Sequence, residues 1–243
     1  MELLTDTLRE ALSLLIHGNR YILEIVWLSL RVSGTGVLVG VLVGMPVGTW
    51  LALARFRGRR LAIAIVHTGF ALPPVVVGLF VYMMLSRSGP GGPLNLLFTP
   101  TAMVVAQGLL AAPYVAGISL AAVQAVTPDA RLQARSLGAS RLRALATHLR
   151  EAKLGLAAAV VAGFGAVISE VGAVMLVGGN ILGETRVMTT AIVLETRRGN
   201  FATAMALGLL LLVLAFAVNV ALTRAQQGRA RGAWQRAAGA HWS

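Results

Sequence analysis

The sequence predicts an all-α membrane protein, and three observations carry that prediction. Of its 243 residues, 57% are hydrophobic and only 12% charged, with a mean hydropathy of +0.78. Soluble domains run at about 45–50% apolar and about 25% charged. Apolar runs long enough to cross ~30 Å of hydrocarbon recur at residues 21–54, 61–85, 101–126, 154–177 and 201–223. In lipid every backbone polar group must be satisfied internally, so runs of this length read as five transmembrane helices. Finally, the basic residues are sorted. Fourteen of the 21 Arg and Lys fall in residues 54–60, 127–153 and 224–243, six fall in the alternate segments, and Arg31 lies inside the first run. Cytoplasmic loops carry the excess of Arg and Lys, so the amino terminus is expected outside and the carboxyl terminus in the cytoplasm. The formal charge of +12 is thereby assigned to orientation and not to nucleic acid, and the absence of cysteine excludes disulfides, thiol chemistry and thiolate-bound metals.

Four segments follow in chain order: residues 1–20, the membrane domain 21–223, a cytoplasmic loop 127–153 within it, and a basic cytoplasmic tail 224–243. In the first, Leu4, Leu8, Ala11, Leu12 and Leu15 share one helical face while Asp6, Arg9 and Glu10 lie off it, which predicts an amphipathic helix on the outer membrane surface. The first span places Gly36, Gly40, Gly44 and Gly48 on one face, where a second helix can come close, either within the subunit or between subunits. Prolines interrupt three spans, at Pro46, at Pro73 and Pro74, and at Pro113; each removes a backbone donor and bends or breaks its helix.

Arg31 and Glu170 are charged side chains lying well inside predicted spans, where charge is costly. At ~1.5 Å per residue, Arg31 is about 15 Å in from the start of its span and Glu170 about 24 Å along its own, so both fall in the outer half. The expectation is a pair or a shared polar network. The alternative is that Arg31 snorkels and Glu170 caps a local helix end. Gly163, Gly165, Gly172, Gly178 and Gly179 surround Glu170 and permit an unwound segment near the outer mouth, a break that suits a gate.

The loop begins Thr127, Pro128, Asp129, a hydroxyl cap followed by a proline and an acid, each suited to a helix start. Gly138 is placed to end that piece in a left-handed conformation and Ser140 to cap a second helix bearing Leu142, Leu145, Ala146 and Leu149. Two short basic amphipathic helices with a bend can rest on anionic lipid or dock a cytoplasmic protein.

The stretch LQARSLGAS, Leu132 to Ser140, resembles the cytoplasmic coupling loop of permease subunits of binding-protein-dependent ABC importers. That loop begins with a Glu-Ala-Ala signature followed four residues later by glycine. Here Leu132, Gln133 and Ala134 occupy the signature, Leu137, Gly138, Ala139 and Ser140 fit it well, and Arg150 and Glu151 stand where the family tends to Leu-x-Pro. ALPPVVVGL in the second span, FTPTAMVVAQ opening the third, and ISEVGAVMLVGGNILGETRVMTTAIVLET look like the molybdate, tungstate and sulfate group, most like its tungstate-type members.

The resemblance implies the type I ABC importer permease fold and a non-catalytic subunit that moves an oxyanion, tungstate with molybdate or sulfate as alternatives, by alternating access. It also implies a second permease copy forming a homodimer, an extracytoplasmic oxyanion-binding protein, and a separate ATPase subunit carrying ATP and Mg. No G-x-x-x-x-G-K-[ST] sequence occurs in this chain. Residues 132–134 and 137–140 are the expected ATPase contacts. Arg31, Ser169, Glu170, Gly172, Gly178, Gly179 and Asn180 are the expected path or gate, with no catalytic residue and no metal site, in a bacterial or archaeal cytoplasmic membrane. A stand-alone secondary anion transporter or channel is the other class that an intramembrane Arg and Glu would serve.

Overall fold

A computed structural model describes residues 20–127 and 136–239, together with Arg9, Ala11 and Ser13, and side chains as far as Arg224 apart from residue 222. The expected surface helix therefore lies almost wholly outside the described residues, as do Leu132, Gln133 and Ala134. Every regular element described is helical: α1 (Arg20–Leu53), α2 (Arg59–Thr68), α3 (Pro74–Leu85), α4 (Pro100–Gln124), α5 (Arg141–Glu151), α6 (Lys153–Ile168), α7 (Gly172–Gly178), α8 (Met188–Arg197) and α9 (Phe201–Gly239), with short 3-10 turns at Gly69–Ala71 and Gly92–Leu94. Helices α1, α4 and the first part of α9 are long and apolar enough to cross a membrane, and the count reaches up to five if the bent pairs α2–α3 and α5–α6 each form one span.

The bundle is built on the α1–α4 contact. Gly36, Gly40, Gly44 and Gly48 are all buried, facing α4 and not another subunit. A Cβ on Gly36 would lie 2.7 Å from the Gln107 Cβ, and one on Gly40 2.5 Å from the Ala111 Cβ. Gly44 and Gly48 meet the backbone carbonyls of Ala112 and Ala116. The contact advances in the same direction along both helices, so they run parallel. Without a hydrophobic force between helices in lipid, such close backbone approach supplies the van der Waals attraction that binds them. Around this seam Val32, Met103, Leu110, Phe164, Val167 and Val174 form the core.

The proline-bearing spans behave differently from one another. Helix α1 continues through Pro46 and α4 through Pro113. At Pro73–Pro74 the chain turns by 101°, so residues 61–85 are not one straight span. That bend is anchored on α4: the Tyr114 hydroxyl donates to the Phe70 carbonyl at 3.1 Å, and the two rings stack at 4.9 Å. Gly69 sits against Pro113, where a side chain would collide with the pyrrolidine ring. The fourth predicted span is also broken, α6 ending at Ile168 before the short α7. The fifth is longer than predicted, since α9 continues as helix into the basic tail as far as Gly239.

Trp27 and Trp50 are the two tryptophans of α1, 68% and 56% exposed. They stand 23 residues apart, about 34 Å along a helix. Tryptophan collects at both membrane–water boundaries, so this pair brackets a hydrocarbon layer of ordinary thickness. Residues 20–26 of α1 then stand beyond that layer.

Gly40→Val is expected to lower the thermal unfolding midpoint of the detergent-solubilised protein sharply, at a cost of about 1–3 kcal/mol for overpacking. Gly34→Val, where a Cβ meets nothing within 4 Å, is expected to change stability by less than about 0.5 kcal/mol.

Candidate functional site: a broken helix and its polar supports

Between α6 and α7 the chain leaves helical geometry for Ser169, Glu170 and Val171. A break inside lipid leaves carbonyls and N–H groups without intrahelical partners, so each must be met by another group. The Val167 carbonyl accepts from the buried Gln107 Nε2 and from the Glu170 N–H, both at 3.2 Å. The Glu170 carbonyl accepts from Thr189 Oγ1 at 2.9 Å, and Glu170 Oε1 accepts from the Ala173 N–H at 2.8 Å. Glu170, 9% exposed, thus spends its carboxylate on the first turn of α7. Ser169 remains exposed, its hydroxyl donating to the Gly165 carbonyl at 3.3 Å.

The expected Arg31–Glu170 pair does not form. Glu170 faces α7, whereas Arg31 lies on the exposed face of α1 and lines a separate rim pocket. The only ion pairs among the described residues are Arg20–Glu24 at 2.9 Å and Arg198–Glu195 at 3.3 Å. Helical rise gives depth but not azimuth, and azimuth separates these two side chains.

Helix α7 is wedged between α3 and α4. A Cβ on Gly78 of α3 would lie 2.6 Å from the Ala173 Cα, Gly172 faces Val75, and Gly178 faces the Met103 sulfur. Gly179 (φ 70) and Asn180 (φ 53) then reverse the chain in the left-handed region, where glycine and asparagine are the residues best tolerated. The Phe98 N–H donates to the Val177 carbonyl at 2.9 Å, fixing this reversal to the start of α4. Gly172, Gly178, Gly179 and Asn180 are thereby brought into one short unit with Glu170.

Beyond it runs a polar chain that sequence reasoning missed. Arg186 donates through Nε to Asn180 Oδ1 at 3.2 Å, through Nη2 to the Asn180 carbonyl at 3.3 Å, and through Nη1 to the Tyr21 hydroxyl at 3.3 Å. The Tyr21 hydroxyl donates to Oε1 of the buried Glu195 at 3.3 Å, and Asn200 Nδ2 donates to its Oε2 at 2.8 Å. Residues 174 apart in sequence meet here. The one available signal was Glu195 itself, an acid at the end of the apolar run Ala191–Leu194.

At the other end of the bundle the loop is partly visible. Ser140 Oγ accepts from the Arg143 N–H at 3.4 Å and starts α5. Gly138 takes φ 81, and a Cβ there would meet nothing within 4 Å. The predicted apolar strip is divided: Leu142 is 78% and Leu137 86% exposed, and Ala146 also faces outward, while Ala144 and His148 form the buried face. His148 Nε2 lies 3.1 Å from the Val123 carbonyl, tying α5 to the end of α4.

Residues 40–231 match the family described as binding-protein-dependent transport system inner membrane component. A tungstate uptake system permease protein from Peptoclostridium acidaminophilum is 38% identical over 93% of this chain and 100% of its own length. A probable anion ABC transporter permease protein from Haloferax volcanii is 42% identical over 82% of this chain and 88% of its own. Among solved structures, a bacterial ABC transporter involved in import of the polysaccharide alginate superposes with a TM-score of 0.73 at 19% identity, covering 90% of this chain and 82% of that one, a likeness of fold.

Glu195→Ala removes an acceptor used by Tyr21, Arg198 and Asn200 and is expected to cost about 1–3 kcal/mol. Glu195→Gln, which keeps one carbonyl acceptor, is expected to recover part of that loss, measured as thermal unfolding in detergent.

Proposed function

This chain belongs to the family of inner-membrane components of binding-protein-dependent transport systems, and from that premise we infer that it is the membrane subunit of an ATP-driven importer for tungstate. The observation that carries the substrate is the 38% identity, over the whole length of the relative, to a tungstate uptake permease. Molybdate and sulfate share the tetrahedral shape and charge of tungstate and are the competitors against which selectivity is to be measured.

Energy comes from a separate ATPase, since the chain has no phosphate-binding loop of the G-x-x-x-x-G-K-[ST] type. The assembly contains two copies of this chain, two ATPase subunits and an extracytoplasmic oxyanion-binding protein, with the Arg-rich end of the bundle in the cytoplasm. The ATPase engages the loop at residues 132–140. Leu137 and Leu142 offer it two exposed apolar side chains, and the left-handed Gly138 turns the chain ahead of α5.

At the opposite end, Ser169, Glu170, Gly172, Gly178, Gly179 and Asn180 form the gate. Their break depends on side-chain hydrogen bonds from Gln107 and Thr189, which can be exchanged for others as helices shift. Glu170 is not the anion's ligand. Its negative charge repels an oxyanion, and it already fills the positive end of α7. Contact with the ion falls to neutral donors, which suits a path that must release what it admits.

The chain reconstituted with its ATPase and binding protein is expected to accumulate tungstate only when ATP is present, and tungstate uptake is expected to resist an excess of sulfate. Uptake without the ATPase would overturn the assignment. Gly138→Glu strains the backbone without colliding with neighbours; it is expected to leave the protein folded and ATP hydrolysis running while uptake falls by about tenfold or more. Normal uptake by this variant would remove the loop from the coupling role.

A further inference from the structure

A pocket of about 500 Å³ opens at the rim where α1 begins, lined by Trp27, Leu28 and Arg31 of α1, Phe98 before α4, and Glu184 and Arg186 of the loop after α7. Two further charges border it or lie beside it, and they neutralise each other: Glu24 is bonded to Arg20 at 2.9 Å. Arg186 is held by Asn180 and Tyr21. Arg31 and Glu184 remain, and among the described residues neither has an oppositely charged group within 4 Å. Among the described residues the pocket therefore offers one free cation and one free anion.

Its depth is fixed by the tryptophans. Arg31 lies one turn, about 6 Å, inward of Trp27, and its side chain is long enough to snorkel back to the boundary that Trp27 marks, toward the lipid phosphates. Trp27 and Leu182 are exposed in its lining, and below Arg31 the same face of α1 continues through the exposed Leu38 and Leu42. An unpaired guanidinium above an apolar track presents a site with a polar top and an oily floor.

We propose that this pocket binds a zwitterionic, amine-bearing phospholipid, its phosphate on Arg31, its ammonium on Glu184 and an acyl chain along Leu38 and Leu42. The lipid supplies counter-charges that no described residue provides and seats the first helix against the loop that carries Arg186. A free oxyanion would satisfy Arg31 but would gain nothing from Glu184 or from the apolar track.

The full-length chain, delipidated in detergent and then offered equal amounts of phosphatidylethanolamine, phosphatidylglycerol and phosphatidylcholine of matched acyl chains, provides the test by native mass spectrometry. The wild type is expected to retain phosphatidylethanolamine about fivefold over phosphatidylcholine. Arg31→Gln is expected to reduce that retention about fivefold, and Glu184→Gln to cancel the preference for phosphatidylethanolamine over phosphatidylcholine while leaving phosphatidylglycerol bound. Arg141→Gln, exposed on α5 at the opposite end, is the control and changes neither. Unaltered lipid retention by a folded Arg31→Gln variant overturns the proposal. So does displacement of the lipid by millimolar tungstate or phosphate, with Arg31-dependent binding of that ion in lipid-free detergent, which would give the pocket to free anions. Neither outcome bears on transport, so the importer assignment stands or falls separately.

Discussion

Four missing side chains hold this bundle together. Where α1 crosses α4, Gly36, Gly40, Gly44 and Gly48 let backbone meet backbone, and two of the four contacts are with main-chain carbonyls. In water such a seam would be supplemented by the burial of large apolar groups; in lipid, large apolar groups are at ease on the outside, and many here point outward, among them Leu42, Trp50, Leu212 and Phe216. The small residues are inside because closeness is what binds helices in this solvent. Several other elements are then placed against α4 or the residues just before it: the 3-10 turn of the second span at Pro113, Tyr114 and Gly117, the α6 terminus at Gln107, and the turn after α7 at Phe98 and Met103, while α8 and α9 pack on α1 and α6.

The same solvent dictates how the helices are allowed to break. Several interruptions of the main-chain ladder are met by a specific side chain: Tyr114 for the bend before Pro73, Gln107 and Thr189 around Glu170, Thr185 at the Gly178 carbonyl that ends α7, and Arg186 at Asn180. Most of these donors are neutral, which keeps the cost of burying them low. A buried hydroxyl or amide holds a carbonyl firmly enough to define a conformation and loosely enough for the partner to change. Membrane transport on this fold needs both properties at one place.

How far the sequence discloses this arrangement depends on the range of the contact. The apolar runs, the glycine face of α1, the Ser140 cap and the left-handed Gly138 follow from local chemistry and are visible in a linear reading. The break around Glu170 is foreshadowed by its glycines, and the carboxylate's role as a helix cap follows from its position three residues before Ala173. Gln107, Arg186 and Glu195 are a different case. Each acts on a group 60 to 174 residues away, or through a loop whose path is set by such contacts. No periodicity reports that. The supposed Arg31–Glu170 pair fails for the complementary reason, since equal depth in a membrane leaves the direction around each helix undetermined.

Helix α4 is also a mechanical part. Near its C-terminal end the Val123 carbonyl is pinned to His148 of α5, and sixteen residues away, about 24 Å along the same rod, Gln107 grips the α6 terminus beside the break. Between these two points the ladder of hydrogen bonds lacks a rung only at Pro113. A push delivered at His148 therefore arrives at Gln107 through a stiff shaft with a single flexible joint, and that joint is where the bent second span is seated.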